Sequence, residues 1–296
     1  MTTTNSPFGR ALCAMITPFT EEGALDLAGA QRLADRLVSE GCDGLVLSGT
    51  TGESPTTTDE EKSRLVGAVR EAVGERASVV AGVGTFGTRH TVELALAAEK
   101  AGADGLLVVS PYYSRPPQDA LERHFREIAD ASGLPLAVYD IPGRTGVRIE
   151  PDTMLRLAEH PRIVAVKDCS YDFLAAQKVI SRTELAYYAG CEEHNLALYA
   201  VGGAGYISTV ANVAPARLRA VLDAFDAGET AEAARLQQRA TPLIEAMMAA
   251  GLPGTVTAKA LLNELGLPAG PVRAPLRPAG REATDDLLTA YRSLTG

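Results

Sequence analysis

The stretch PLAVYDIPGRTG (135–146), followed after a helical pattern by IVAVKD (163–168), decides how this chain folds. Each piece begins as a short apolar run and ends in a polar side chain, Tyr139 in the first and Lys167 in the second. Arg144 sits in the turn-rich segment between them. Apolar runs without strict alternation belong to strands buried on both faces, as parallel strands under helices are. The same unit recurs outward in both directions: ALCAMIT (11–17), GLVLSG (44–49), SVVAGV (78–83), GLLVVS (105–110), LAYYAG (185–190) and GYISTV (205–210). Segments 27–40, 59–73, 88–101 and 118–131 carry apolar residues at helical spacing, and the glycines of GCDG (41–44) and AGADG (101–105) close two of them.

Eight such strands with intervening helices and short connections predict an α/β chain closed into a (β/α)8 TIM barrel over residues 1–226. An open doubly wound sheet survives only if one or two strands are misassigned. From 227 to 296 the strands cease. GETAEAARLQQRATPLIEAMMAAG (228–251) and much of the remainder to Gly296 read as helix, broken at Pro253, Pro268, Pro271, Pro275 and Pro278. That tail is expected to be a C-terminal helical region appended to the barrel.

The 296 residues suit one such barrel, which typically needs about 250. No run approaches the roughly 20 apolar residues of a membrane span, and MTTTNSPFGR has no apolar export segment, so a cytoplasmic location is expected. Cys13, Cys42, Cys169 and Cys191 are widely separated without a CxxC pair, which favours reduced thiols over a disulfide frame or zinc site. A net charge of -9 without a basic stripe argues against a nucleic-acid surface. An anionic substrate would have to be held by local groups.

Such groups converge at the strand ends, because the C-terminal ends of barrel strands share one mouth. Thr50 and Thr51 follow the second strand, Tyr113 the fourth, Tyr139 ends the fifth, Lys167 the sixth, and Ile207 lies in the eighth. A lysine leaving a buried strand is disfavoured as ammonium, and the neutral amine attacks carbonyls. The plainer reading is a lysine that snorkels to solvent, with Asp168 as ion-pair partner or cap. Tyr139 is a packing residue or, beside a Schiff-base lysine, a proton shuttle. SGTTGES (48–54) offers amides and hydroxyls to a carboxylate, and Arg144 offers a planar fork to a second one. Taken singly, each is equally a common turn. His90, His124, His160 and His194 show no ligand spacing, no GxSxG or Walker loop occurs, and GVGTFG (82–87) lacks the full dinucleotide fingerprint.

GTTGES, PYY, YDIPGRTG, VKD and GGAGYISTVANV (202–213), in that order, resemble the dihydrodipicolinate synthase family of pyruvate-dependent lyases, most closely its actinobacterial members. The resemblance implies a (β/α)8 barrel with a C-terminal helical region, a homotetramer of tight dimers, and no cofactor. It implies that Lys167 forms the Schiff base with pyruvate and that Tyr139 passes protons, with Thr50 and Tyr113 completing a relay. Thr51 and Ile207 would contact pyruvate, Gly190 would lie near the site, and Tyr112 and Tyr113 close to a dimer interface. Arg144 would receive the carboxylate of L-aspartate 4-semialdehyde, giving 4-hydroxy-tetrahydrodipicolinate on the route to lysine and diaminopimelate. Two stretches depart from the family pattern: Cys191-Glu192 replaces two aspartates, and LPGTVTAK (252–259) replaces an NPIPVK-like run. Lys62, Phe86 and His90 stand where feedback-sensitive members carry histidine, asparagine and glutamate, so weak or absent lysine inhibition is expected. Two alternatives stand beside this reading: an aldolase cleaving sialic or keto-deoxy sugar acids, which generally lacks the arginine, and a paralogue that only binds a keto acid.

Overall fold

The predicted strands pair in chain order and close on themselves. A computed structural model describes residues 6–249 and 251–296. Its strands are β1 (Ala11–Ala14), β2 (Gly44–Leu47), β3 (Ser78–Gly82), β4 (Gly105–Val109), β5 (Leu136–Asp140), β6 (Ile163–Asp168), β7 (Ala186–Ala189) and β8 (Gly205–Ser208), all parallel, with β8 pairing back on β1. The open-sheet alternative is thereby excluded. Most strands stop one to three residues short of the apolar runs that announced them. Met15, Ile16 and Val210 lie beyond the ladder yet are fully buried, so the apolar pattern continues where the pairing does not.

Outside the barrel lie α1 (Leu27–Ser39), α2 (Asp59–Val73), α3 (Thr88–Lys100), α4 (Gln118–Ala131), the one-turn α5 (Pro142–Thr145), α6 (Pro151–Leu157), α7 (Phe173–Ile180), α8 (Asn195–Ala200) and α9 (Pro215–Asp226). Local chemistry sets their ends. Thr58 and Glu61 form a reciprocal capping box at the start of α2. Gly41 (φ +105°) ends α1: its own N–H bonds to Val38 O, and the Cys42 N–H reaches back to Leu37 O at 3.0 Å. This is the left-handed stop expected of glycine. One apolar cluster fills the space between strands and helices, and a second fills the barrel interior with Leu12, Val46, Val80, Leu107, Ala137, Ala165, Tyr188 and Ile207. Burying each of the larger aliphatic side chains, Leu12, Val46, Val80, Leu107 and Ile207, contributes roughly 1.5–3 kcal/mol.

The tail forms α10 (Thr230–Ile244), α11 (Gly254–Glu264) and α12 (Arg281–Thr295). Helix α10 runs through Pro242 and passes into a π turn at Glu245–Ala249. Pro242 cannot donate to the Gln238 carbonyl, so α10 lacks one backbone bond in the turn before the π segment. That segment lies over the barrel mouth.

Candidate active site

Strand register brings the two polar ends together. In the ladder between β5 and β6, Tyr139 stands directly opposite Lys167, and Asp140 opposite Asp168. Alternation along each strand sends the first pair into the barrel and the second outward. Lys167 is 6 % exposed, and its Nζ lies 4.5 Å from the centroid of the Tyr139 ring. It forms no ion pair among the described residues. Asp168 does not pair with it; its Oδ1 accepts the Ser170 N–H at 2.7 Å. Burial pushes the Tyr139 phenol well above the usual tyrosine range; neighbouring Cys169 adds to this, and the Thr50 hydroxyl opposes it. Tyr139 is therefore a neutral phenol at neutral pH. The Cys169 Sγ lies 4.0 Å from its oxygen.

Gly190 closes the floor beside Lys167. A Cβ at this position would stand 2.4 Å from Cys169 Sγ and 3.0 Å from both the Asp168 carbonyl and Lys167 Cε. Glycine fits because the backbone just after β7 passes against the lysine stem, leaving no room for a side chain without displacing it.

Above this floor is a cavity of about 810 Å³ lined by Thr50, Thr51, Tyr139, Arg144, Lys167 and Gly190. The C-terminal region supplies its far wall through Gln237, Gln238, Thr241, Glu245, Met248 and Thr255. Arg144 is exposed on α5 and forms no ion pair among the described residues, so its guanidinium is available. Thr51 Oγ1 is 2.9 Å from Thr209 Oγ1. A second cavity of about 430 Å³ shares Thr50, Tyr139, Ile141 and Arg144 with the first and is lined by Tyr112 and Tyr113. Tyr113, left-handed at φ +73°, is 95 % exposed, and its hydroxyl meets no partner among the described residues. Ile207 lies in the interior cluster with Tyr139 and does not line either cavity.

Sequence reasoning missed several contributors. Thr209 follows β8 as Thr50 follows β2, and that parallel was its available signal. Glu192 is fully buried: Oε1 accepts from Thr209 N (2.6 Å), Val210 N (3.1 Å) and Ser208 Oγ (3.0 Å), fixing the turn that carries Thr209. Burial raises its pKa against those bonds. Cys169 and Cys191 both line the larger cavity. The histidines stay outside: His90 bonds Asp59 at 2.8 Å, His124 meets Thr88 and His160 meets Asp130.

The sequence model of the dihydrodipicolinate synthetase family matches residues 7–292. The chain belongs to that family. It is 78% identical over 290 residues to 4-hydroxy-tetrahydrodipicolinate synthase 1 of Streptomyces coelicolor, covering 98% of this chain and 95% of that protein. It is 57% identical to the 4-hydroxy-tetrahydrodipicolinate synthase of Acidothermus cellulolyticus, covering 94% and 89%. Among solved structures, the enzyme of Cyanidioschyzon merolae with lysine bound superposes with a TM-score of 0.95 at 36% identity, covering 98% of this chain and 99% of that one. The chloride-inhibited dihydrodipicolinate synthase of Acinetobacter baumannii complexed with pyruvate gives 0.92 at 32%, covering 97% and 99%. The actinobacterial resemblance, the TIM barrel with C-terminal helices and the 4-hydroxy-tetrahydrodipicolinate synthase activity, a lyase of lysine and diaminopimelate biosynthesis, all stand. No helix among the described residues is long and apolar enough to cross a membrane.

Proposed function

We propose that Lys167 forms an imine with pyruvate and that the resulting enamine condenses with L-aspartate 4-semialdehyde. The observation that carries this reading is the buried Lys167 amine, unpaired by any described carboxylate, over the Tyr139 ring on the floor of a cavity that also holds an unpaired Arg144. Nζ attacks the keto carbon, and Tyr139 passes the protons with which water leaves. The threonine hydroxyls and amides after β2 receive the pyruvate carboxylate. Loss of a methyl proton gives the enamine, which bonds to the aldehyde carbon while Arg144 holds that substrate's carboxylate. The substrate amine then attacks the imine carbon and expels Lys167, closing the ring. Thr50 links Tyr139 to the second cavity, where Tyr113 lies exposed beside Tyr112, itself edge-on to Phe86 at 5.7 Å. Such an aromatic edge suits a second copy of the chain, in keeping with a homotetramer built from tight dimers. Tyr139 is the proton carrier of this sequence, and the reading invokes no cofactor.

Lysine inhibition is weak or absent in this reading. Lys62 (3.8 Å) and His90 (2.8 Å) both contact Asp59, and a ligand ammonium would meet these groups. Clear inhibition at sub-millimolar lysine contradicts it.

The test is substrate choice. Condensation with the semialdehyde is expected in the wild type. Arg144→Ala should lower kcat/KM for the aldehyde by on the order of 100-fold, the worth of charge-assisted hydrogen bonds of about 3 kcal/mol. Sugar-acid cleavage indifferent to Arg144 would assign the aldolase instead, and imine formation without turnover the binding paralogue.

A further inference from the structure

Two lysines are almost fully buried, and the proposed chemistry uses only one. Lys259, on α11, is 2 % exposed. Its Nζ lies 2.7 Å from Glu53 Oε1, donates to the Pro271 carbonyl at 2.8 Å and stands 4.0 Å from the Phe19 ring centroid. The second oxygen of Glu53 accepts the Arg273 N–H at 2.8 Å. The Arg273 guanidinium in turn binds the carbonyls of Gly23 and Thr56 and both oxygens of Glu61. A buried ion pair gives little net stability over an apolar pair of the same shape, so stability alone does not account for this one.

Its position does. Glu53 belongs to GTTGES and is left-handed at φ +56°; Ser48, on the other side of the threonines, is left-handed at φ +52°. Non-glycine residues persist in that region only where their surroundings hold them. The segment between the two bends carries Thr50 and Thr51, and it is tied on both sides. Thr17 Oγ1 donates to the Gly52 carbonyl at 2.6 Å from the barrel side, and Thr255 Oγ1 of α11 donates to the Thr50 carbonyl at 3.2 Å.

We infer that Lys259, acting through Glu53, is a positioning residue for the pyruvate site: the C-terminal region holds the threonine loop in the bent form that receives the substrate carboxylate. This rests on the assignment of that loop to pyruvate. Lys259 touches no reacting atom, and its effect is on how much pyruvate is needed, not on how fast the imine forms once pyruvate is bound.

The experiment follows borohydride trapping of pyruvate against pyruvate concentration. Lys259→Met leaves Glu53 buried without its cation and endangers the fold, so the deciding protein is Glu53→Gln/Lys259→Met, which removes both charges. Its thermal melt is measured alongside. The folded double variant should need at least about tenfold more pyruvate for half-maximal trapping, while the saturated rate stays within about threefold of wild type. Lys259→Arg should recover part of the difference, and Thr255→Val should shift the same parameter in the same direction by a smaller factor. An unchanged half-saturation, or a fall in the saturated rate alone, overturns the inference. If wild type traps pyruvate on Lys167 and the variants match it, only the positioning role fails. If wild type does not trap, the assignment of the site fails with it.

Discussion

Gly190→Ala tests the floor of the site with a single methyl group. Gly190 carries no left-handed strain, since it is absent from the positive-φ glycines, so the backbone accepts alanine and the whole effect is steric. The new Cβ meets Cys169 Sγ at 2.4 Å, and the Asp168 carbonyl and Lys167 Cε at 3.0 Å. The carbonyl is not free to move, because it accepts the Gly190 N–H at 2.9 Å within the ladder of β6 and β7. The thiol and the lysine stem must therefore give way. Overpacking of this kind costs about 1–3 kcal/mol, and each kcal/mol lowers Tm by roughly 2–4 °C for a chain near this size. Displacement of the amine by about 1 Å slows its attack by on the order of 100-fold. Borohydride trapping with pyruvate, read by mass spectrometry, measures that rate, and calorimetry measures the melt. Adding Cys169→Ala removes the nearest obstacle and should restore at least about tenfold of the lost rate, a coupling of the size seen between touching residues. Wild-type trapping and an unchanged Tm in Gly190→Ala would refute the reasoning.

Two further outcomes concern buried carboxyls. Burial, followed by the like charge of Asp168, raises the Asp140 pKa from 3.8 to about 7. A folded-state pKa above the unfolded one gives stability that is full below pH ~4 and lost as pH rises through about 7. Asp140→Asn keeps an acceptor for the Ile149 N–H and should match wild type in urea melts at pH 4, yet exceed it at pH 8 by up to about 4 kcal/mol. Equal stability at both pH values contradicts this. Glu192→Ala strands the N–H groups of Thr209 and Val210, each costing about 1–3 kcal/mol when left unpaired. It should lower Tm and raise the pyruvate concentration for half-maximal trapping, through Thr209 and Thr51; a melt equal to wild type would remove Glu192 from that role.

The barrel was legible because parallel strands buried on both faces leave unbroken apolar runs, and Lys167 and Tyr139 stood out as polar ends to such runs. Their pairing across β5 and β6 is a register fact that no single run contains. The far wall of the cavity was hidden for a different reason. Gln237, Thr241 and Glu245 look in sequence like the solvent face of any amphipathic helix, and nothing local says that α10 lies over the barrel mouth. Pro242 falls inside the stretch 228–251 that reads as helix, and the π turn it precedes left no mark in the pattern. Lys259 and Glu53 come from opposite ends of the chain, so their ion pair exists only once the barrel has closed.

The chain contains five lysines, Lys62, Lys100, Lys167, Lys178 and Lys259, which makes the central assignment direct to check. Borohydride reduction in the presence of pyruvate, with peptide mapping of the product, should place one reduced pyruvate adduct on the peptide containing Lys167 and leave the other four unmodified. An adduct on Lys259 or on a surface lysine in place of Lys167, or no adduct at saturating pyruvate, would contradict the account.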